Sequence, residues 1–376
     1  MAERHPSITP ADIVFAEATP RQQKLAWELN GASWAKPMSI AEYVDREAHL
    51  SRQDLAAGGG CRYWVVFPRD RPDEIVAGCE STRKTLLVRR AGLPGEVYQV
   101  SAYAIASVYT NPEYRRLGMA SLMLRRLQEA MDLDSEGSAL YSDIGKVYYA
   151  QLGWDVFPSD QATLEILDRE EAARGVVQQQ QQQQQQQKTR YLSKDELPAL
   201  CERDVADLKE RLAGLPDDGK THIAFSPTWS QVAWHFAREE FMARAMFSRA
   251  IERRGAATED GRSWAIWDHD FREKKLKVQR IVTTRPESEE RRVEDVAALL
   301  QAAVAEAAAW DLPKVLLWNP DEAFTLGAKG VGNAMEGSVK VIFDERLDGS
   351  IPCFRWKGGK DTSATVWEDN YYYCWC

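Results

Sequence analysis

Two periods of apolar and polar positions alternate along this chain. Helical spacing marks residues 21–32 and 39–56, and the adjacent large apolar residues of 63–67 (Tyr-Trp-Val-Val-Phe) then read as a strand. Residues 74–79 and 85–89 read as extended arms of a hairpin. The longest run, residues 101–110 (SAYAIASVYT), suits a central strand, which Asn111-Pro112 ends because proline has no N–H for a ladder. Beyond Gly118, apolar residues at Ala120, Met123, Leu124, Leu127, Ala130 and Met131 line one face of a helix. Residues 139–142 then predict a strand, 146–152 a short helix closed by Gly153, and 162–167 a last strand.

A second series follows. Helices over 194–212 and 230–252, extended segments at 263–268 and 275–284, a helix over 293–310 and a buried strand over 315–318 echo the first order of elements. Between the two series stand ten glutamines, Gln178 to Gln187, which bury too little apolar surface to offset their ordering entropy and read as a linker rather than an interaction tract. The chain therefore divides into residues 1–170, a linker over 171–190, and residues 191–376. The fold class predicted is α/β with a mixed sheet, the second unit being a degenerate repeat of the first.

Composition narrows the function classes. At 376 residues the chain is long enough for two cores, and 44% apolar with 28% charged residues suits a globular protein. A net charge of -9, from 48 basic and 57 acidic residues, argues against nucleic acid as a partner and favours a cationic one. The six cysteines show no paired CxxC spacing, so reduced thiols and no metal are expected; Cys374-Trp375-Cys376 offers only two ligands. Residues 1–15 do not read as a leader and no apolar run approaches about 18 residues, which predicts a cytoplasmic protein without a membrane span. The oligomeric state stays open.

The chemistry concentrates at the turn Tyr114-Arg115-Arg116-Leu117-Gly118-Met119-Ala120, which satisfies R-x-x-G-x-A between the long strand and the amphipathic helix. A pyrophosphate needs converging N–H groups, and the first turn of a helix supplies unpaired donors and the positive end of its dipole. Gly118 and Ala120 keep side chains out of the way, while Arg115 and Arg116 add charge.

This strand, turn and helix resemble the GNAT superfamily of acyltransferases over about residues 13–167. The resemblance implies acetyl-CoA as co-substrate, held at Arg115, Arg116, Leu117, Gly118, Met119 and Ala120. It also implies that the backbone of Val108, Tyr109 and Thr110 pairs with the pantetheine arm, one N–H polarising the thioester carbonyl. Tyr148-Tyr149-Ala150-Gln151-Leu152-Gly153-Trp154 is similar to the family's aromatic helix, which makes Tyr149 the general acid towards the departing thiolate, the alternative being simple packing on the cofactor; Tyr148 reads as core.

An ammonium acceptor must lose a proton before it can attack. Glu80, after Val76-Ala77-Gly78-Cys79, is the first candidate for base or substrate-binding group, and Asp143 the second; each could equally be a solvated strand-end charge. Water or the terminal carboxylate of Cys376 are further candidates for the base. Trp34, Tyr43-Val44-Asp45-Arg46-Glu47, Cys79-Glu80 and Leu140-Tyr141-Ser142-Asp143-Ile144-Gly145 together resemble the fungal lysine N6-acetyltransferase family, which implies free L-lysine as acceptor in lysine catabolism. Protein lysines, polyamines, or a non-catalytic acyl-CoA-binding module are the competing readings. Asp268, Asp270, Asp321 and Glu322 are candidate acids of the second half, and Thr283-Thr284-Arg285-Pro286-Glu287, lacking glycine, predicts no second cofactor site. The apolar end Tyr371-Tyr372-Tyr373-Cys374-Trp375-Cys376 is expected to be docked.

Overall fold

A computed structural model describes residues 8–9, 11–173, 189–284 and 287–375. The glutamine run, Arg285, Pro286 and Cys376 lie outside the described residues. In chain order the first half has β1 (Ile13–Glu17), α1 (Pro20–Trp34), α2 (Ile40–Leu50), β2 (Cys61–Pro68), β3 (Ala77–Arg89), β4 (Tyr98–Thr110), α3 (Met119–Met131), β5 (Gly137–Ser142), α4 (Val147–Ala150), β6 (Asp155–Val156) and β7 (Asp160–Ile166). The second half continues with β8 (Thr189–Leu192), α5 (Leu197–Ala213), β9 (Thr221–Phe225), α6 (Trp229–Phe247), β10 (Gly255–Thr258), β11 (Ser263–Asp270), β12 (Lys275–Thr283), α7 (Glu289–Ala309), β13 (Lys314–Trp318), α8 (Glu322–Ala334), β14 (Val339–Glu345), β15 (Ile351–Trp356) and β16 (Thr365–Trp367).

Local chemistry starts the helices where the pattern places them. Thr19 and Ser39 each form a capping box, with Gln22 and Glu42 respectively, and Pro20 presets the first turn of α1. The second helix stops at Leu50, short of the expected residue 56. Residues 74–89 do not form a hairpin, because 77–89 is one uninterrupted strand that pairs with β4 from Ala77–Thr110 to Val88–Tyr98.

Two mixed sheets result. The first runs β1-β2-β3-β4-β5-β15-β6, with β9 added along β3 and β16 along β9; the second runs β14-β7-β13-β12-β11-β10-β8. The halves exchange strands: β7 lies between β13 and β14, and β15 lies between β5 and β6. The division read at the glutamine run is thus crossed by strands in both directions. A common core follows, in which Leu86, Leu164, Phe225, Trp267, Leu299, Phe354 and Trp367 belong to one buried cluster, while α3 packs Met123, Leu124 and Leu127 into a second with Tyr103, Ile105 and Leu140.

The second half repeats the key geometry of the first. β4 and β5 are parallel neighbours separated by α3, and β12 and β13 are parallel neighbours separated by α7. No described helix is long and apolar enough to cross a membrane.

Candidate active site

The site begins where two parallel strands part. β4 and β5 pair only from Ala102–Gly137 to Ile105–Leu140, although β4 continues to Thr110. Ser107 has φ 53°, and the register with β3 shifts beside it, between Gly78 and Glu80. Residues 106–110 therefore run away from β5, and their backbone edge on that side borders an open wedge. Val108, Tyr109 and Thr110 lie on it. Tyr109 is fixed from behind by Trp34, with ring centroids 5.5 Å apart, and by the Ser33 hydroxyl, 3.3 Å from its own.

The turn after β4 is held by its own side chains. Asn111 accepts from the Glu113 N–H at 3.2 Å and donates to the Ile75 carbonyl at 3.2 Å, while the Arg115 Nε donates to the Thr110 carbonyl at 3.2 Å. Arg116 and Gly118 then take left-handed conformations, with φ 65° and 77°, and α3 begins at Met119 without any side-chain cap. A Cβ placed on Gly118 would meet nothing within 4 Å, so glycine is required there by φ rather than by crowding inside the fold. The first-turn N–H groups of α3 have no partner in their own helix, and the exposed Arg115 and Arg116 stand beside them. That donor set fits a pyrophosphate. Its counterpart differs: at α7 the Ser288 hydroxyl accepts from the Arg291 N–H at 3.2 Å, so the chain caps that helix itself.

At the mouth of the wedge lies a cavity of about 470 Å³. Trp34, Tyr43 and Glu47 line it from the helices, Glu80 and Ser107 from the strands, and Asp143 from the loop after β5. The second half closes it with Arg238, Asp270, Lys277 and Trp375. Burial pushes the Glu80 carboxyl up to about 8; the negative charge of Glu47 adds to the rise, while a hydrogen bond from Ser107 and the charge of Arg46 oppose it. Glu47 is itself paired with Arg46. Asp143 is exposed and accepts from the Ser350 N–H at 2.8 Å. Glu80 and Asp143 thus share one cavity.

Tyr149 does not line this cavity and is buried in the cluster against which Val108 and Leu117 pack. Burial, then the neighbouring Tyr148 and Asp143, raise its hydroxyl above the ordinary tyrosine value, so it keeps its proton at neutral pH. Tyr148, expected in the core, is half-buried, with its hydroxyl 3.1 Å from the Ser121 hydroxyl on α3.

The four acids of the second half separate by role. Burial alone would raise Asp270, but Lys277 at 2.7 Å, together with Arg238, holds it well below the carboxylate range at the cavity wall. Burial, reinforced by the charge of Glu239, pushes buried Asp268 up to about 7, and it accepts from the Tyr372 hydroxyl at 3.4 Å. Asp321 caps α8 through the Phe324 N–H at 2.9 Å and pairs with Arg292, and Glu322 sits in the first turn of the same helix; neither lines this cavity. The C-terminal segment is docked, with Tyr372 1% and Tyr373 0% exposed. Lys84 donates to the Cys374 carbonyl at 2.7 Å and the Tyr373 hydroxyl to the Phe225 carbonyl at 2.7 Å. This brings Trp375 to the cavity. Trp375 belongs to the segment expected to be docked, whereas Arg238 and Lys277 carry little signal in the sequence beyond a charged Arg238 in a helix with buried Val232, Phe236 and Met242.

The model of the LYC1 GNAT-like C-terminal domain family matches residues 175–376, more than half of the chain. The chain belongs to that family. Its relatives include a lysine acetyltransferase of Yarrowia lipolytica, 23% identical over 383 residues, covering 91% of this chain and 94% of the relative. An uncharacterised protein of Saccharomyces cerevisiae is 22% identical, with 97% and 98% covered. Among solved structures, a GCN5-related N-acetyltransferase from Kribbella flavida superposes with a TM-score of 0.52 at 15% identity, covering 92% of this chain and 72% of that one. A tandem GNAT protein from the clavulanic acid biosynthesis pathway gives 0.50 at 11% identity, over 93% and 100%. This LYC1-like chain is therefore a GNAT-fold acetyltransferase that resembles the fungal one, its second half a GNAT-like domain. Among its described residues no group of His, Cys, Asp or Glu is arranged to hold a metal ion.

Proposed function

We propose that the chain transfers the acetyl group of acetyl-CoA to the side-chain amine of free L-lysine, forming N6-acetyl-L-lysine. The observation that carries this reading is the cavity at the wedge, walled by both halves and bearing Glu47, Glu80, Asp143 and Asp270. Its walls favour a small cationic acceptor over a lysine on a folded protein. The name of the Yarrowia relative supports the same acceptor class.

Bound acetyl-CoA would supply an activated acetyl thioester. The turn from Arg115 to Ala120 would hold its pyrophosphate, and the free edge of Val108, Tyr109 and Thr110 its amide-bearing arm. Glu80 takes the proton that the acceptor ammonium must lose, and a carboxyl near 8 is matched to that task. Asp143 offers a second negative charge to the incoming cation. Tyr149 keeps a proton at its hydroxyl for the sulfur that leaves. In this reading residues 1–170 carry the donor site, and residues 191–376 complete the acceptor site.

The test is an amine panel. Acetyl-CoA is incubated with lysine, polylysine or spermidine, and products are identified by mass spectrometry. N6-acetyl-lysine formed at millimolar lysine is expected; acetylation of polylysine or spermidine alone sinks the assignment.

A further inference from the structure

Four cationic side chains line the acceptor cavity, and three have evident employment. Arg46 donates to Glu47 through Nε at 2.9 Å, Lys277 pairs with Asp270 at 2.7 Å, and Arg272 is exposed to solvent. Arg238 differs. It projects from α6, is only 8% exposed, and makes neither a hydrogen bond nor an ion pair among the described residues. Its guanidinium carbon lies 5.5 Å from the Trp375 ring, which the docked C-terminal segment brings to the same wall.

A largely buried guanidinium that no described residue bonds, on the wall of a cavity, leaves its N–H donors to what enters that cavity. The fork of N–H donors is nevertheless kept charged, because Asp270, Asp268 and Glu47 act on it from beyond bonding distance. Such a fork is complementary to a carboxylate, which it can bind through two parallel hydrogen bonds. The location also suits a bifunctional ligand. Glu80 and Arg238 line the same cavity as Tyr43, whose hydroxyl is raised by burial first, then by Glu47 and, more weakly, by Glu80, with Arg46 and Arg238 opposing, so a carboxyl and a guanidinium flank one cavity-lining group. A ligand with its amine at Glu80 and its carboxylate at Arg238 satisfies both.

We propose that Arg238 binds the α-carboxylate of the acceptor, so that the enzyme selects a free amino acid over the corresponding diamine. This builds on the acceptor reading above. It makes Arg238 a specificity residue, acting on ground-state binding of the acceptor and not on the chemical step.

The experiment compares L-lysine, L-lysinamide and 1,5-diaminopentane as acceptors for the wild-type protein, Arg238→Met and Arg238→Lys, with circular dichroism as the check on folding. The wild type is expected to show a KM for lysine at least about tenfold below those for the amide and the diamine. Arg238→Met should raise the lysine KM about 100-fold, with kcat changed less than about threefold and the other two acceptors unaffected. Arg238→Lys, which keeps the charge but loses the fork, should fall between. Equal wild-type KM values for the three acceptors overturn the proposal even if the methionine variant fails to fold. So does a variant that loses all three acceptors equally. A wild type inactive on lysine overturns the acceptor reading as well, whereas one active on lysine, with a KM that Arg238→Met leaves unchanged, overturns only the role of Arg238.

Discussion

Replacing Glu80 with glutamine tests the assignment of the base most directly. The amide has nearly the shape of the protonated carboxyl, so the cavity keeps its form while the proton acceptor is lost. With the carboxyl near 8, the ionised fraction is about one in eleven at pH 7 and one half at pH 8, so kcat/KM should climb about fivefold between them and less than about twofold beyond. The lysine side chain titrates near about 10.4, too high to produce that limb. Glu80→Gln should therefore lower turnover at pH 8 by about 100-fold and abolish the rise, and any limb belonging to the substrate would persist in the variant. Glu47 raises Glu80 through its charge, so Glu47→Gln should move the limb to lower pH. Stability gives an independent check on sign. The folded pKa of Glu80 is raised, so its contribution is complete below the unfolded value and is lost as pH rises through about 8. Between pH 6 and 9 the wild type should lose more thermal stability than Glu80→Gln. The assays are initial rates by CoA release from pH 6 to 9.5 and melting over the same range. A variant that keeps the wild-type limb, or a wild-type rate flat from pH 6 to 9, refutes the role.

Tyr149→Phe should cut kcat about 100-fold while changing acetyl-CoA affinity less than about twofold, read by steady-state kinetics and calorimetry; equal turnover in the two proteins would remove Tyr149 from the chemistry. Gly118→Val places a β-branched residue at φ 77°, which should cost about 1–2 kcal/mol in chemical denaturation and weaken acetyl-CoA at least about tenfold by setting a side chain against the phosphates. Unchanged affinity would mean the pyrophosphate lies elsewhere. Fragments 1–173 and 189–376 should each be unstable alone and associate when co-expressed, because among the described residues β7 and β15 each pair with strands of the other half; a monomeric, cooperatively melting fragment would contradict this.

The turn at Gly118 was legible because its signals are local. The Asn-Pro stop, the glycine and the apolar stripe from Ala120 to Met131 all fall within one short stretch and agree. β3 misled for the opposite reason. Its polar middle, Glu80-Ser81-Thr82-Arg83-Lys84, looks like a turn between two extended arms, yet Ser81 accepts from Trp64 Nε1 at 2.8 Å and Lys84 reaches the Cys374 carbonyl. Those residues are polar because the partners that satisfy them, or the cavity they face, come from elsewhere in the chain. β15 escaped notice likewise: Ile351-Pro352-Cys353-Phe354 makes sense as a strand only beside β5, about 200 residues earlier in the chain.

The same long-range pairing decides which residues wall the cavity. The wedge and the turn arise within β4, α3 and β5, and the corresponding helix of the second half, α7, has its N-terminus capped by Ser288. What the second half contributes is a wall: Arg238 from α6, Lys277 and Asp270 from the β11–β12 hairpin, and Trp375 from the chain's docked end. A wall attached only through a linker would move independently of Glu80 on the opposite side. The exchange of β7 and β15 removes that freedom, since opening the cavity by separating the halves would break backbone ladders in both sheets. The two walls of the cavity are thereby held in one frame, and the second copy of the fold, without the glycine turn, supplies the wall that we propose as the acceptor side.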